Sequence, residues 1–167
     1  MPHTRSITRF AVAAALITLL AFPASASMVS FLIVETGLDD QASTGQYSRL
    51  WESGLMAAFF DAGYIVTSGP IARLEPGSAP ARTEIEVDFD EAVRAGANYF
   101  IVGFIEYNTA RGRAVPVGIS VKVYDSATRQ RIHEENFPAG SGRNLGDEMN
   151  MAQDAGRAMV SRMEGRT

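Results

Sequence analysis

The 167-residue sequence has no cysteine, one lysine and two histidines. Without thiols no disulfide can staple the fold, and the soft ligands of a structural zinc site are missing. His3 stands in the first few residues, so His133 is the only histidine left for chemistry. One imidazole without a thiol does not make a zinc site, and a triad has no other support: Ser120 and Ser126 lie near His133 in sequence, but no Gly-x-Ser-x-Gly elbow is present. We expect a surface histidine in a strand ladder. The lone lysine, Lys122, has no array of cations and aromatic rings around it, and a phosphate backbone demands such a basic patch. Nucleic acid is therefore not expected as a partner.

A hydrophobic run long enough to span a membrane is also missing. The longest, Phe10 to Phe22, is shorter than the ~20 residues a spanning helix needs. Arg5 and Arg9 precede it, Pro23 breaks it, and Ala24-Ser25-Ala26 closes it with small residues. Those are the three parts of a secretory leader, with cleavage expected after Ala26. Residues 27–167 are then a single α/β domain, long enough for its own core. Taking Arg5 and Arg9 from the 15 Lys and Arg leaves 13 against 19 Asp and Glu, a net charge of −6. No cysteine is available to carry a lipid, and Arg5 and Arg9 are not adjacent as a twin-arginine signal requires. A periplasmic or secreted protein that is not lipidated follows, with no membrane span after cleavage.

What is present reads as β-α-β-α-β-β-β-α, a mixed sheet of about five strands with helices packed on it. Val29 to Val34 is a short apolar run and a first buried strand. From about Gln46 to Ala62, Tyr47, Trp51, Leu55, Ala58, Phe59 and Ala62 share one side at helical spacing, and Gly63 stops the helix. Tyr64 to Thr67 is a second strand, parallel to the first through a right-handed crossover. The stretch Ser68 to Thr83 is rich in proline and glycine and reads as a loop of unusual length. Glu84 to Gly96 is a short helix with Val87, Ala92, Val93 and Ala95 on its apolar side. Tyr99 to Ile105 is an unbroken run of β-branched and aromatic residues, the central strand, covered on both faces. Val115, Val117, Ile119, Val121 and Val123 alternate with wetter residues in its antiparallel partner. Arg129 to Phe137 is a polar edge strand. Pro138 to Asn144 is a flexible link. Leu145, Met149, Ala152, Gly156, Met159, Val160 and Met163 line one face of a last helix.

Two groups of residues stand out as candidate contacts. Met56 and Phe60 point well away from Trp51 on the first helix, where charge is usual. They mark either a wide buried stripe or a patch for a protein partner. Glu35, Asp39 and Asp40 gather at the carboxyl end of the first strand, the side where open α/β sheets tend to hold ligands. They are helix caps and solvated charge, or a site for a cation or small ligand or a weak hydrolase; their spacing matches no calcium loop. Gly140-Ser141-Gly142 lacks the Lys-Ser/Thr of a phosphate cradle. Three of the four methionines of the last helix, Met149, Met159 and Met163, sit on its apolar stripe, with Met151 off it, and fill core. No cofactor and no catalytic set is implied.

Three segments carry a resemblance. They are Phe59-Phe60-Asp61-Ala62-Gly63-Tyr64, Ala95-Gly96-Ala97-Asn98-Tyr99-Phe100-Ile101-Val102-Gly103 and Val121-Lys122-Val123-Tyr124-Asp125-Ser126-Ala127-Thr128. With this element order, the chain resembles the amino-terminal domain of the periplasmic TolB family. It is similar also to the periplasmic domains of the curli secretion channel and of lipoprotein activators of penicillin-binding proteins. Unlike TolB it has no β-propeller, and unlike the other two no lipid-bearing cysteine. The resemblance implies a non-enzymatic bacterial envelope module that binds an envelope protein, with homo-oligomerisation as a further option.

Overall fold

The computed structural model describes residues 26–38, 45–74, 82–110, 113–138, 140 and 142–165. In chain order the elements are β1 (Met28–Thr36), α1 (Gly45–Asp61), β2 (Ile65–Ser68), β3 (Ala72–Arg73), α2 (Arg82–Arg94), β4 (Tyr99–Ala110), β5 (Arg113–Asp125), β6 (Arg131–Phe137) and α3 (Leu145–Glu164). The sheet runs β2-β1-β4-β5-β6, and β3 joins β1 beyond the end of β2. β1 is parallel to β2, β3 and β4, whereas β4, β5 and β6 are antiparallel. This is a mixed α/β sheet of six strands, one more than expected. The extra strand is two residues inside the proline- and glycine-rich loop, too short to leave a period.

β4 sits between β1 and β5, and Phe100, Ile101, Val102 and Ile105 are at most 1% exposed. Its two faces meet different helices. On one, Phe31, Ile33, Ile101, Ile105, Val121 and Val123 share a core with Trp51, Leu55 and Phe59 of α1 and Ala152, Met159 and Met163 of α3. Each such large side chain adds about 1.5–3 kcal/mol by leaving water. On the other, Leu32, Val34, Phe100 and Val102 meet Phe89 and Ala92 of α2.

α1 and α3 meet where each carries a glycine against the other's alanine. A Cβ on Gly54 would stand 2.5 Å from that of Ala152, and one on Gly156 would stand 2.6 Å from that of Ala58. Helix ends follow the sequence signals: Gly63 and Gly96 both take positive φ of 88°, which a side chain would disfavour. Asn144 caps α3 by accepting the Asp147 N–H at 3.0 Å.

Several sequence expectations are corrected. Val115 and Val117 are about half exposed, because β1 pairs with β4 only as far as Glu106 and β6 pairs with β5 only down to Ile119. Beyond those limits β4 and β5 continue as a two-stranded arm, with a register shift after Glu106. Alternation gave the side, not the cover. In α2 Ala92 is buried as expected and Phe89 is buried with it, whereas Val87 is exposed. In α3 Leu145 is exposed and Glu148 is buried. His133 stands in the β5–β6 ladder as expected, but its side chain is only 13% exposed, with Glu135 Oε2 at 3.4 Å and Arg162 Nη1 at 3.2 Å.

Candidate functional site

Residues 28–34 of β1 are apolar or small, so Glu35 is carried to the carboxyl end of the parallel strands as part of a buried element. Its carboxylate is 1% exposed. An unpaired buried charge there would be costly, and two neighbours bonded to it offset the cost. Ser48 of α1 donates to Oε1 at 2.6 Å, and Arg73 Nε donates to Oε2 at 3.0 Å. Tyr107 Oη lies 2.8 Å from Ser48 Oγ. Ser48 has one proton and gives it to Glu35, so the phenol donates to Ser48. Burial pushes the Tyr107 phenol from 10.0 up to about 12, which keeps that proton in place.

β3 is what makes this arrangement possible. It pairs with β1 so that Arg73 stands directly beside Glu35. A cleft of about 440 Å³ opens next to the pair, lined by Glu35, Arg49, Glu52, Pro70, Ile71 and Arg73 among others. Of the predicted acidic set, Glu35 is therefore held by its own chain, and Asp39 and Asp40 lie outside the described residues. Among the described residues no group of three or more His, Asp or Glu side chains is placed to hold a metal ion.

Sequence reasoning missed a second buried carboxylate. Glu148, 4% exposed, accepts from Tyr47 Oη at 2.9 Å, Trp51 Nε1 at 3.2 Å and the Gly142 N–H at 2.5 Å. Gly140 N–H in turn donates to Tyr47 Oη at 2.7 Å. The expected link before α3 is thus tied to α1. Burial raises the Tyr47 phenol well above its ordinary value. The one available signal was an acidic residue on an otherwise apolar stripe.

Met56 and Phe60, one turn apart on α1, differ. Phe60 is 68% exposed, while Met56 is half-buried and packs against the main core. Ile65, just past the Gly63 turn, is also exposed. On the α2 side a cleft of about 510 Å³ lies between Ile85, Glu86, Phe89, Phe104, Lys122, Tyr124 and Arg129. Lys122 Nζ stands 4.8 Å over the Phe104 ring and 3.7 Å from Glu134. Arg129 stands 5.3 Å over the Phe89 ring and bonds Asp90 at 2.6 Å.

Set beside solved structures, the chain is similar to the PelC dodecamer protein of Paraburkholderia phytofirmans at 17% identity, covering 81% of this chain and 86% of that one, with a TM-score of 0.44. It is similar to TolB of Acinetobacter baumannii at 19% identity over 86% of this chain and 29% of that one, TM-score 0.43. TolB, whose family the motifs resemble, is thus among these structures. The LpoB C-terminal domain of Salmonella enterica matches at 10% identity over 73% of this chain and 90% of that one, TM-score 0.38. No family model and no curated protein matches the sequence. No helix among the described residues is long and apolar enough to cross a membrane.

Proposed function

We propose that residues 27–167 form a single-domain, non-enzymatic module of the bacterial envelope, periplasmic or secreted, that works by binding another envelope protein. The observation that carries this reading is a contrast between interior and surface. The buried carboxylates Glu35 and Glu148 are bound by their own chain, while Phe60 stands 68% exposed on α1. An exposed phenylalanine loses contact area with nothing in the monomer and gains it by meeting a partner. Phe60, the exposed part of Met56 and the neighbouring Ile65 form the candidate contact. The rival reading, a small-ligand or cation site around Glu35, Asp39 and Asp40, has its central carboxylate already engaged by Arg73 and Ser48.

Affinity capture from envelope extracts of the native host tests the proposal. Wild type and Phe60→Glu are compared, since Phe60 can change without disturbing the core. A partner retained by wild type and lost by the variant is the expected result. Identical partner lists would remove Phe60 from the contact.

A further inference from the structure

The cleft of about 510 Å³ on the α2 side belongs neither to the buried carboxylates nor to the Phe60 contact. Ser120, Lys122 and Tyr124 of β5 share that face of the sheet with Phe104, Val102 and Phe100, the residues they pair with on β4. Phe104 and Tyr124 are half-buried there, and Phe89 of α2 stands edge-on to Tyr124 at 6.1 Å between ring centres. With Ile85 these rings give the cleft an apolar wall. Its volume falls within the ~300–1,000 Å³ usual for sites that hold small organic ligands.

Lys122, the only lysine in the sequence, lines the cleft beside those rings. Its side chain is 27% exposed, and its ammonium lies 4.8 Å from the centre of the Phe104 ring. Glu134 Oε1 is 3.7 Å from Nζ, close enough for attraction but beyond hydrogen-bond range. The other oxygen of Glu134 is paired with Arg131, so two cations share one carboxylate. Among the described residues Nζ, with three protons to give, therefore has no hydrogen-bond acceptor. Arg129 differs. It is the one non-glycine residue among those described with a positive φ, 58°, and its guanidinium is held by Asp90 at 2.6 Å, 5.3 Å from the Phe89 ring centre.

We propose that this cleft binds a single-chain amphipathic anion, with a carboxylate or phosphate head on the Lys122 ammonium and an apolar chain against Phe104, Phe89, Tyr124 and Ile85. The head supplies the acceptor that Lys122 lacks, in a charge-assisted bond that the neighbouring rings partly shield from water. The chain covers the half-exposed rings. Arg129 forms one wall, its guanidinium being engaged by Asp90. Glu86, exposed, adds a negative charge to the lining that opposes the head. α2 and α1 lie on opposite faces of the sheet, so this site and the Phe60 contact can each fail without the other.

The test is calorimetric titration of the protein, purified after export, with decanoate and with decyl phosphate, both kept below micelle formation. At least one of them should bind at one site per chain, and the tighter of the two identifies the head. Acetate and inorganic phosphate lack the chain and decanol lacks the charge, so each should bind weaker by about tenfold or more. Lys122→Ala should weaken binding by about tenfold with Tm unchanged, and Lys122→Arg should restore most of it. Glu86→Gln should tighten binding, and Phe60→Glu should leave it as in wild type. No binding of either amphiphile overturns the proposal. So does binding that Lys122→Ala leaves unchanged, decanol binding as tightly as decanoate, or a loss of binding in Phe60→Glu.

Discussion

On one face of the sheet α1 and α3 lie side by side, and on the other α2 stands alone over β1 and the first half of β4. The two-helix face carries Trp51, Phe59 and Met159 at 1% exposure or less, and both buried carboxylates. The one-helix face leaves Phe104 and Tyr124 half-covered, with clefts of about 510 and 340 Å³ over β5 and β6. The difference teaches where rigidity is concentrated. Polar groups are buried where packing is dense enough to hold their partners still, and the thinly covered face keeps its charges paired at the surface, as in Lys122 with Glu134.

The sharpest way to break this comparison is a matched pair of truncations. Phe59→Ala should cost about 4 kcal/mol and Phe89→Ala about 2 kcal/mol in urea unfolding, because the thinner layer relaxes around the lost ring. Equal losses would mean that the faces are equally tight. Next comes Gly156→Val, for which we expect about 3 kcal/mol, since its Cβ would press on Ala58 and force the helices apart. A near-neutral result in the same assay would show that the helix pair yields.

A smaller effect concerns the polar chain at Glu35. Tyr107 is raised from 10.0 to about 12 by burial. The unfolded phenol ionises first, so stability is full below about pH 10 and falls as pH rises toward 12. Tyr107→Phe should flatten that alkaline decline in pH-dependent unfolding curves; an unchanged slope would place the decline elsewhere. Smallest of all is Lys122→Ala, which should change stability by about 0.5 kcal/mol or less because its ion pair is partly exposed. A loss as large as that of Phe89→Ala would show that the open face depends on its charges.

Much of the framework was legible in the residues. Tyr99 to Ile105 announced a strand buried on both faces, Gly63 and Gly96 marked the helix ends, and the stripe of α3 was right from Ala152 to Met163. The failures share a cause, namely dependence on something distant in sequence. Val115 and Val117 have the right alternation but no third strand beside them. Gly54 reads as a poor helix residue until Ala152 is set against it. Glu35 was picked out, yet its partner Arg73 arrives through a two-residue strand, and Glu148 finds Tyr47 and Trp51 about a hundred residues away. A period reports which side a residue faces, whereas the partner waiting there is a property of the fold.

Site-specific photo-cross-linking in the native host tests the central claim most directly, with the reactive residue placed once at Phe60 on α1 and once at Val87 on α2, both exposed. The account predicts a discrete adduct with an envelope protein from position 60 and none from position 87. No adduct from position 60, or the same adducts from both, would contradict it.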